Sequence, residues 1–147
     1  MKNTFLLFIL LTLLSQLSFC DTPKMRTQEF PKEEMKKQKD EVAKLMAKGL
    51  SKNLPQKVDN YTTLTNVTSK GSTLIYTFEI DTGVKKDETI IKEDHSRMKK
   101  AVTRGVCQSS SRLLEASINT TYIYISAKTK KHLFQFDITQ DRCIGLK

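Results

Sequence analysis

The sequence predicts an α+β fold of two layers. A four-stranded antiparallel sheet carries helices on one face, in the order α-β-β-α-β-β, and one disulfide closes it. Three observations carry this expectation. Thr120 to Ile138 reads as a hairpin, two runs rich in β-branched and aromatic residues around a polar turn. Leu74, Tyr76, Phe78 and Ile80 alternate with Ile75, Thr77 and Glu79, the pattern of a strand with one face buried. Met35, Val42, Leu45, Met46 and Leu50 fall on one stripe of an amphipathic helix.

The chain opens MKNTFLLFILLTLLSQLSFC. Lys2 is a short positive start, and Phe5 to Leu14 is an apolar run broken only by Thr12, the signature of a secretory signal peptide. The run is about half of the roughly 20 residues a membrane-spanning helix needs. Residues 1–20 are therefore expected to be a signal, 21–31 a flexible leader and 32–147 a single domain. Ser18-Phe19-Cys20 fits cleavage after Cys20, while Leu17-Ser18-Phe19-Cys20 resembles a lipobox that would put an acyl chain on Cys20. Phe19 stands where a lipobox carries a small residue, which favours plain cleavage.

Within the domain, a first helix is expected just after Pro31. Glu33 and Glu34 lie at its positive end, and Glu33–Lys37 and Asp40–Lys44 are acid-then-base pairs four apart. Its apolar stripe is read as core, and Pro55 should end it. A first strand is placed at Tyr61 to Thr68, with a turn at Ser69 to Ser72 and the alternating strand after it. Residues 85–104 have helical texture, with Ile91, Met98, Ala101 and Val102 on one stripe, and Gly105 is expected to stop that helix. Ser109 to Ser111 can cap a short helix carrying Leu113, Leu114 and Ala116, which delivers the chain to the last hairpin.

Once Cys20 is removed or acylated, Cys107 and Cys143 are the two cysteines left in an oxidising compartment, so they should pair. The chain holds 25 Lys and Arg against 16 Asp and Glu, net +9, and loss of the signal with Lys2 leaves +8. Such a surface suits an acidic partner or an anionic membrane surface. No ladder of basic and aromatic residues argues for nucleic acid.

Chemistry is sparse. His95 and His132 lack a second His or Cys at metal-ligand spacing, no Gly-x-Ser-x-Gly elbow surrounds Ser109 to Ser111, and the five glycines form no phosphate loop. Neither a catalytic site, a metal site nor a cofactor is expected. Asn60, Asn66 and Asn119 open glycosylation sequons, which matter only if the source is a eukaryote.

Leu54-Pro55 with Val58-Asp59, Leu74-Ile75-Tyr76, Val106-Cys107, Leu113-Leu114, Tyr122 with Tyr124, and Asp141-Arg142-Cys143 together resemble small exported proteins of Gram-negative bacteria. The resemblance spans about residues 50–145. It implies a periplasmic α+β domain with one disulfide, mostly without assigned activity. Gln56-Lys57-Val58-Asp59 is also similar to the Gln-x-Val-x-Gly loop of cystatins, but Asn60 replaces the final glycine and a second long helix departs from that fold. The expected function is a non-catalytic exported protein, periplasmic or secreted, that binds a protein partner in the cell envelope as an inhibitor, immunity protein or secretion accessory. The alternative is a membrane-surface protein or lipoprotein that uses the basic N-terminal helix.

Overall fold

The computed structural model describes residues 31–145. The signal at 1–20, the leader at 21–30 and the fate of Cys20 lie outside them. The elements are helix α1 (Lys32–Leu50), a 3-10 turn (Ser51–Asn53), β1 (Gln56–Lys57), β2 (Thr62–Lys70) and β3 (Thr73–Ile80). There follow α2 (Asp87–Lys92), α3 (Ser96–Ser109), α4 (Ser111–Glu115), β4 (Asn119–Ser126), β5 (His132–Ile138) and a 3-10 turn (Gln140–Cys143).

The sheet has five strands in the order β1-β2-β3-β4-β5 and is mixed, which corrects the expectation of four antiparallel strands. β1–β2, β2–β3 and β4–β5 are antiparallel, but β3 and β4 are parallel, with Thr73 opposite Asn119 and Ile80 opposite Ser126. The reason is the connection. Between Ile80 and Asn119 the chain runs through α2, α3 and α4 before it re-enters the sheet beside β3. A long helical crossover of this kind joins parallel neighbours, whereas a tight turn joins antiparallel ones. β1 escaped the sequence reading because two exposed residues carry no period.

One face of the sheet is apolar. Leu74, Tyr76 and Phe78 of β3 lie beside Tyr122 and Tyr124 of β4, and these beside Phe136 and Phe134 of β5. The rings stack across the strands: Tyr76–Tyr122 at 5.0 Å, Phe78–Tyr124 at 5.1 Å and Tyr124–Phe134 at 4.7 Å between centroids. Such cross-strand aromatic pairs stabilise a sheet beyond their area alone. The other face carries Thr63, Asn66, Thr77, Thr121 and Asp137, and Thr121 Oγ1 donates to Asp137 Oδ1 at 2.8 Å.

α1 covers the β2–β3 end of the apolar face. It starts at Pro31, whose carbonyl accepts from Glu34 and Met35 N–H, with Glu33 and Glu34 in the first turn. Its seam differs from expectation. Ala43, fully buried, and Ala47 pack with Val67, Leu74 and Ile118, and Met46 joins them half-buried. Met35, Val42, Leu45 and Leu50 are exposed, Leu45 by 60%. Alanines four apart let the helix axis approach the sheet closely; Met35 and Val42 then lie about 100–120° round the helix from that seam and Leu45 opposite it.

The second half of the face lies under α3. Residues 85–104 were expected as one helix; two form, broken at Glu93 to His95. Asp94 Oδ1 accepts from Ser96 N–H and Oδ2 from Ser96 Oγ, both at 2.9 Å, a local alternative to helical bonding. His95 closes the break, its Nε2 2.9 Å from the Ile90 carbonyl and its ring stacked on Phe134 at 3.8 Å. Gly105 does not stop α3, which continues to Ser109. On the inward stripe Val106 and Cys107 are buried and Met98 and Val102 half-buried, while Ile91 and Ala101 are exposed.

The serines do not cap α4 through their hydroxyls; Ser110 serves through its carbonyl, which accepts from Leu113 and Leu114 N–H. α4 ends with Ser117 at φ 61°, Ser117 N–H bonded to Leu114 O and Ile118 N–H to Leu113 O. That is the Schellman arrangement, and the accompanying apolar contact is supplied by Ile118 and Leu113.

Candidate functional site

A disulfide joins Cys107, in the last turns of α3, to Cys143, at the end of the chain's final 3-10 turn, with Cα atoms 5.5 Å apart. Both cysteines are buried with Val106, Leu114 and Ile138. The final turn is held by Arg142 N–H to Thr139 O at 3.1 Å, and Gly145 follows at φ 84°, a conformation glycine adopts without cost.

The end of α3 and the inner side of α4, adjacent in sequence, thus meet the distant tail. Between them is a cleft of about 290 Å³, floored by the disulfide and Leu114. Its rim is polar, with Ser111, Glu115 and Gln140, and Ile144 stands at the lip, 80% exposed. An apolar floor with a few polar groups at the rim suits a buried apolar side chain of a ligand or partner.

The two sulfurs of the cleft are bonded to each other, and no histidine lines it. Among the described residues, no group of three or more His, Cys, Asp or Glu is placed to hold a metal. The titratable groups that are displaced from their ordinary values serve the fold. Burial pushes Tyr122 and Tyr124 up to about 12, so both phenols stay neutral beneath α3. Asp59 is held low first by Tyr61 N–H, and Asp94 by Ser96 N–H. Glu88 is held low by its hydrogen bond from Lys131, at 2.6 Å.

That last contact belongs to a clamp. The β4–β5 turn grips the loop before α2 and the first turn of that helix: Lys128 Nζ donates to the Gly83 carbonyl, Thr129 Oγ1 to the buried Asp87 carboxylate, and Lys131 pairs with Glu88. Lys130 reaches Glu79 at 2.8 Å. Most of the lysines at this end, read as a possible surface for acidic partners, are thus engaged internally.

The other residues singled out from the sequence are scattered. His95 packs on Phe134 as described, and His132 is exposed at the start of β5. Asn60 is exposed before β2 and Asn66 is exposed on β2, whereas Asn119 is half-buried and its N–H bonds Ser72 O. Gln56 and Lys57 form β1 rather than a free loop. No described helix is long and apolar enough to cross a membrane. Ile144 and the cleft beneath it were not found from the sequence. The signal that could have pointed there was the cysteine pair, which fixes the tail beside α3.

Comparison with known proteins bears on the fold. Residues 37–134 match the model of a family described as Domain of unknown function (DUF8479), a span that stops before Cys143. No curated protein matches the chain. Among solved structures, the pilotin EpsS of the Vibrio vulnificus type 2 secretion system is similar at TM-score 0.63 and 12% identity, over 76% of this chain and 96% of that one. A candidate secreted protein from Pseudomonas aeruginosa gives TM-score 0.66 and 16% identity over 74% and 96%. The type II secretion system pilotin AspS from Vibrio cholerae gives 0.57 and 19% over 76% and 97%. At these identities the likeness shows a shared fold.

Proposed function

We propose that this chain, which belongs to the DUF8479 family, is a non-catalytic exported accessory protein that holds a protein partner in the cleft beside its disulfide. One observation carries the reading: Ile144, a large apolar side chain, is presented 80% exposed over an apolar cleft closed by a covalent bond. A stable fold gains nothing from exposing that residue, and a partner that covers it gains about 2 kcal/mol of apolar burial. Two solved neighbours are secretion-system pilotins, which supports a secretion-accessory role over an inhibitor or immunity role. The apolar start at residues 1–20 and the pairing of Cys107 with Cys143 support export to a periplasmic or external compartment. Cleavage after Cys20 would release the domain, and acylation of Cys20 would anchor it. Neither cofactor nor nucleic acid enters this reading.

A photo-crosslinking amino acid at Ile144, Gln140 or Ser111, introduced in the native host, tests it. The expected result is one discrete envelope-protein adduct from these positions, absent from a control at Thr68 on the open sheet face. Ile144→Glu should abolish the adduct formed from Gln140. Equal labelling from Thr68, or none from the cleft, would overturn the reading.

A second reading has its own observation. Met35, Val42 and Leu45 are exposed on α1, which also carries Lys32, Lys36 and Lys39, so this flank could rest on an anionic membrane surface. Flotation of the mature protein with phosphatidylglycerol vesicles checks it: retention that is lost in Val42→Ser/Leu45→Ser supports a membrane face, and no flotation removes it.

A further inference from the structure

From residue 95 to residue 114 the chain contains no Asp or Glu, yet it carries Arg97, Lys99, Lys100, Arg104 and Arg112. Most of that stretch is α3. Its first turn holds no acid, although the helix dipole there disfavours cations. Lys100 and Arg104, four apart, repel one another on the same face. The two acids just before the stretch are already engaged: Glu93 with Lys85 at 2.7 Å, and Asp94 with the N–H and hydroxyl of Ser96. By contrast, Glu33, Glu34, Asp40 and Glu41 are interspersed among the lysines of α1. Arg97, Lys100 and Arg104 stand round Ala101 at a shallow depression of about 290 Å³ on the exposed side of α3.

We propose that this ridge is a docking surface for an acidic polypeptide segment. The inference rests on the reading of the chain as a partner-binding protein and adds the chemistry of the partner. Arg97 and Arg104 lie seven residues apart, about 10 Å along the helix, so carboxylates two turns apart on a facing helix meet both. Guanidinium groups take carboxylates in bidentate fashion, which a diffuse ionic atmosphere does not need. A membrane is the poorer occupant because Ala101, Gly105 and Gln108, the other exposed residues of this side, offer no large apolar group to insert. The ridge also adjoins the cleft. At about 100° per residue, Cys107 stands at the edge of the buried stripe, about 20° round the helix from the exposed Lys100 and two turns along, so a segment seated over the disulfide and continued along α3 runs onto these cations.

The test is fluorescence anisotropy of the mature protein with a fluorescein-labelled helical peptide of alanine and glutamate, acids repeating every seven residues. Arg97→Gln/Lys100→Gln/Arg104→Gln removes three charges from the ridge, and Lys36→Gln/Lys48→Gln/Lys52→Gln removes three from α1 and its following turn. All six side chains are exposed, and circular dichroism checks that both variants fold. The ridge variant should lose about tenfold or more in affinity and the control about twofold or less, since screened, non-specific charge acts on both equally. Equal losses, or no binding by the native protein, would overturn the proposal. So would tighter, ridge-dependent binding to pure phosphatidylglycerol vesicles, which would assign the ridge to a membrane. Crosslinking from Ile144 is read independently, so a failed ridge and a failed cleft give different results.

Discussion

Thr120 gives the sharpest test of the packing. It is 2% exposed, lies between Leu74 and Ile138 in the register of the sheet, and its hydroxyl has no hydrogen-bond partner among the described residues. An unpaired buried hydroxyl costs about 1–3 kcal/mol relative to its hydration in the unfolded chain. Thr120→Val replaces it with a methyl of similar shape and keeps the β-branch that suits a strand. The expected gain is about 1–2 kcal/mol, or about 4–8 °C in Tm for a domain near this size. Urea denaturation should move the midpoint up with the slope unchanged. Thr120→Ser keeps the hydroxyl and removes the methyl, and should cost about 1 kcal/mol. A Val variant less stable than the native protein would refute the reasoning, since it would mean the hydroxyl is satisfied by a buried water.

Other outcomes follow from the same structure. Ala43→Leu should destabilise by about 1–3 kcal/mol by pushing α1 off the sheet, whereas Leu45→Lys should stay within about 0.5 kcal/mol, and denaturation midpoints compare the two directly. Ser117→Gly should stabilise by up to about 1 kcal/mol, because a side chain at φ 61° is strained and glycine is not. At high pH the burial of Tyr122 and Tyr124 works against the fold. Their folded values near 12 lie above the ordinary value of 10, so this contribution to stability is complete below pH 10 and is lost as pH rises towards 12. Tyrosinate absorbance from these two should appear only as the protein unfolds. Asp59 acts in the opposite sense: its lowered value makes its contribution present above its ordinary 3.8 and lost as pH falls through the folded value, and Asp59→Asn should flatten the acid limb of the stability curve.

What was legible in the sequence was the local period. Leu74, Tyr76 and Phe78 announce a strand because one buried face fixes every second residue, and the Thr120 to Ile138 hairpin is visible for the same reason. Period says nothing about which strand lies beside which across a crossover, so the parallel β3–β4 pairing could not be read. Hydrophobic size does not mark the seam of α1. Close approach selects Ala43 and Ala47, and size points to residues that the approach excludes. The break at Asp94 and the continuation through Gly105 share one physical reason. Glycine only lowers helix propensity, while Asp94 has a definite competing partner in Ser96. The cleft has no local signature, because its third side is the tail, some 25 residues beyond α4 in sequence.

The parallel junction also decides what the disulfide does. β4 begins at Asn119 beside Thr73, and β5 runs back so that Ile138 lies opposite Thr120. The sheet therefore returns the tail to the end where α3 finishes and α4 packs, and topology alone brings Cys143 near Cys107. The bond then fixes a meeting that is already arranged. Closing a loop of separation 36 contributes about 4 kcal/mol through the unfolded state. Cys107→Ser/Cys143→Ser should therefore lower stability by about that amount while leaving the far-ultraviolet spectrum and the aromatic ladder intact, because Tyr76, Phe78, Tyr124 and Phe136 hold the sheet without it. Crosslinking from Ile144 should fall much further, since the tail that presents it is no longer tied to α3. A variant with a disordered sheet would show instead that the covalent bond, and not the crossover, places the tail.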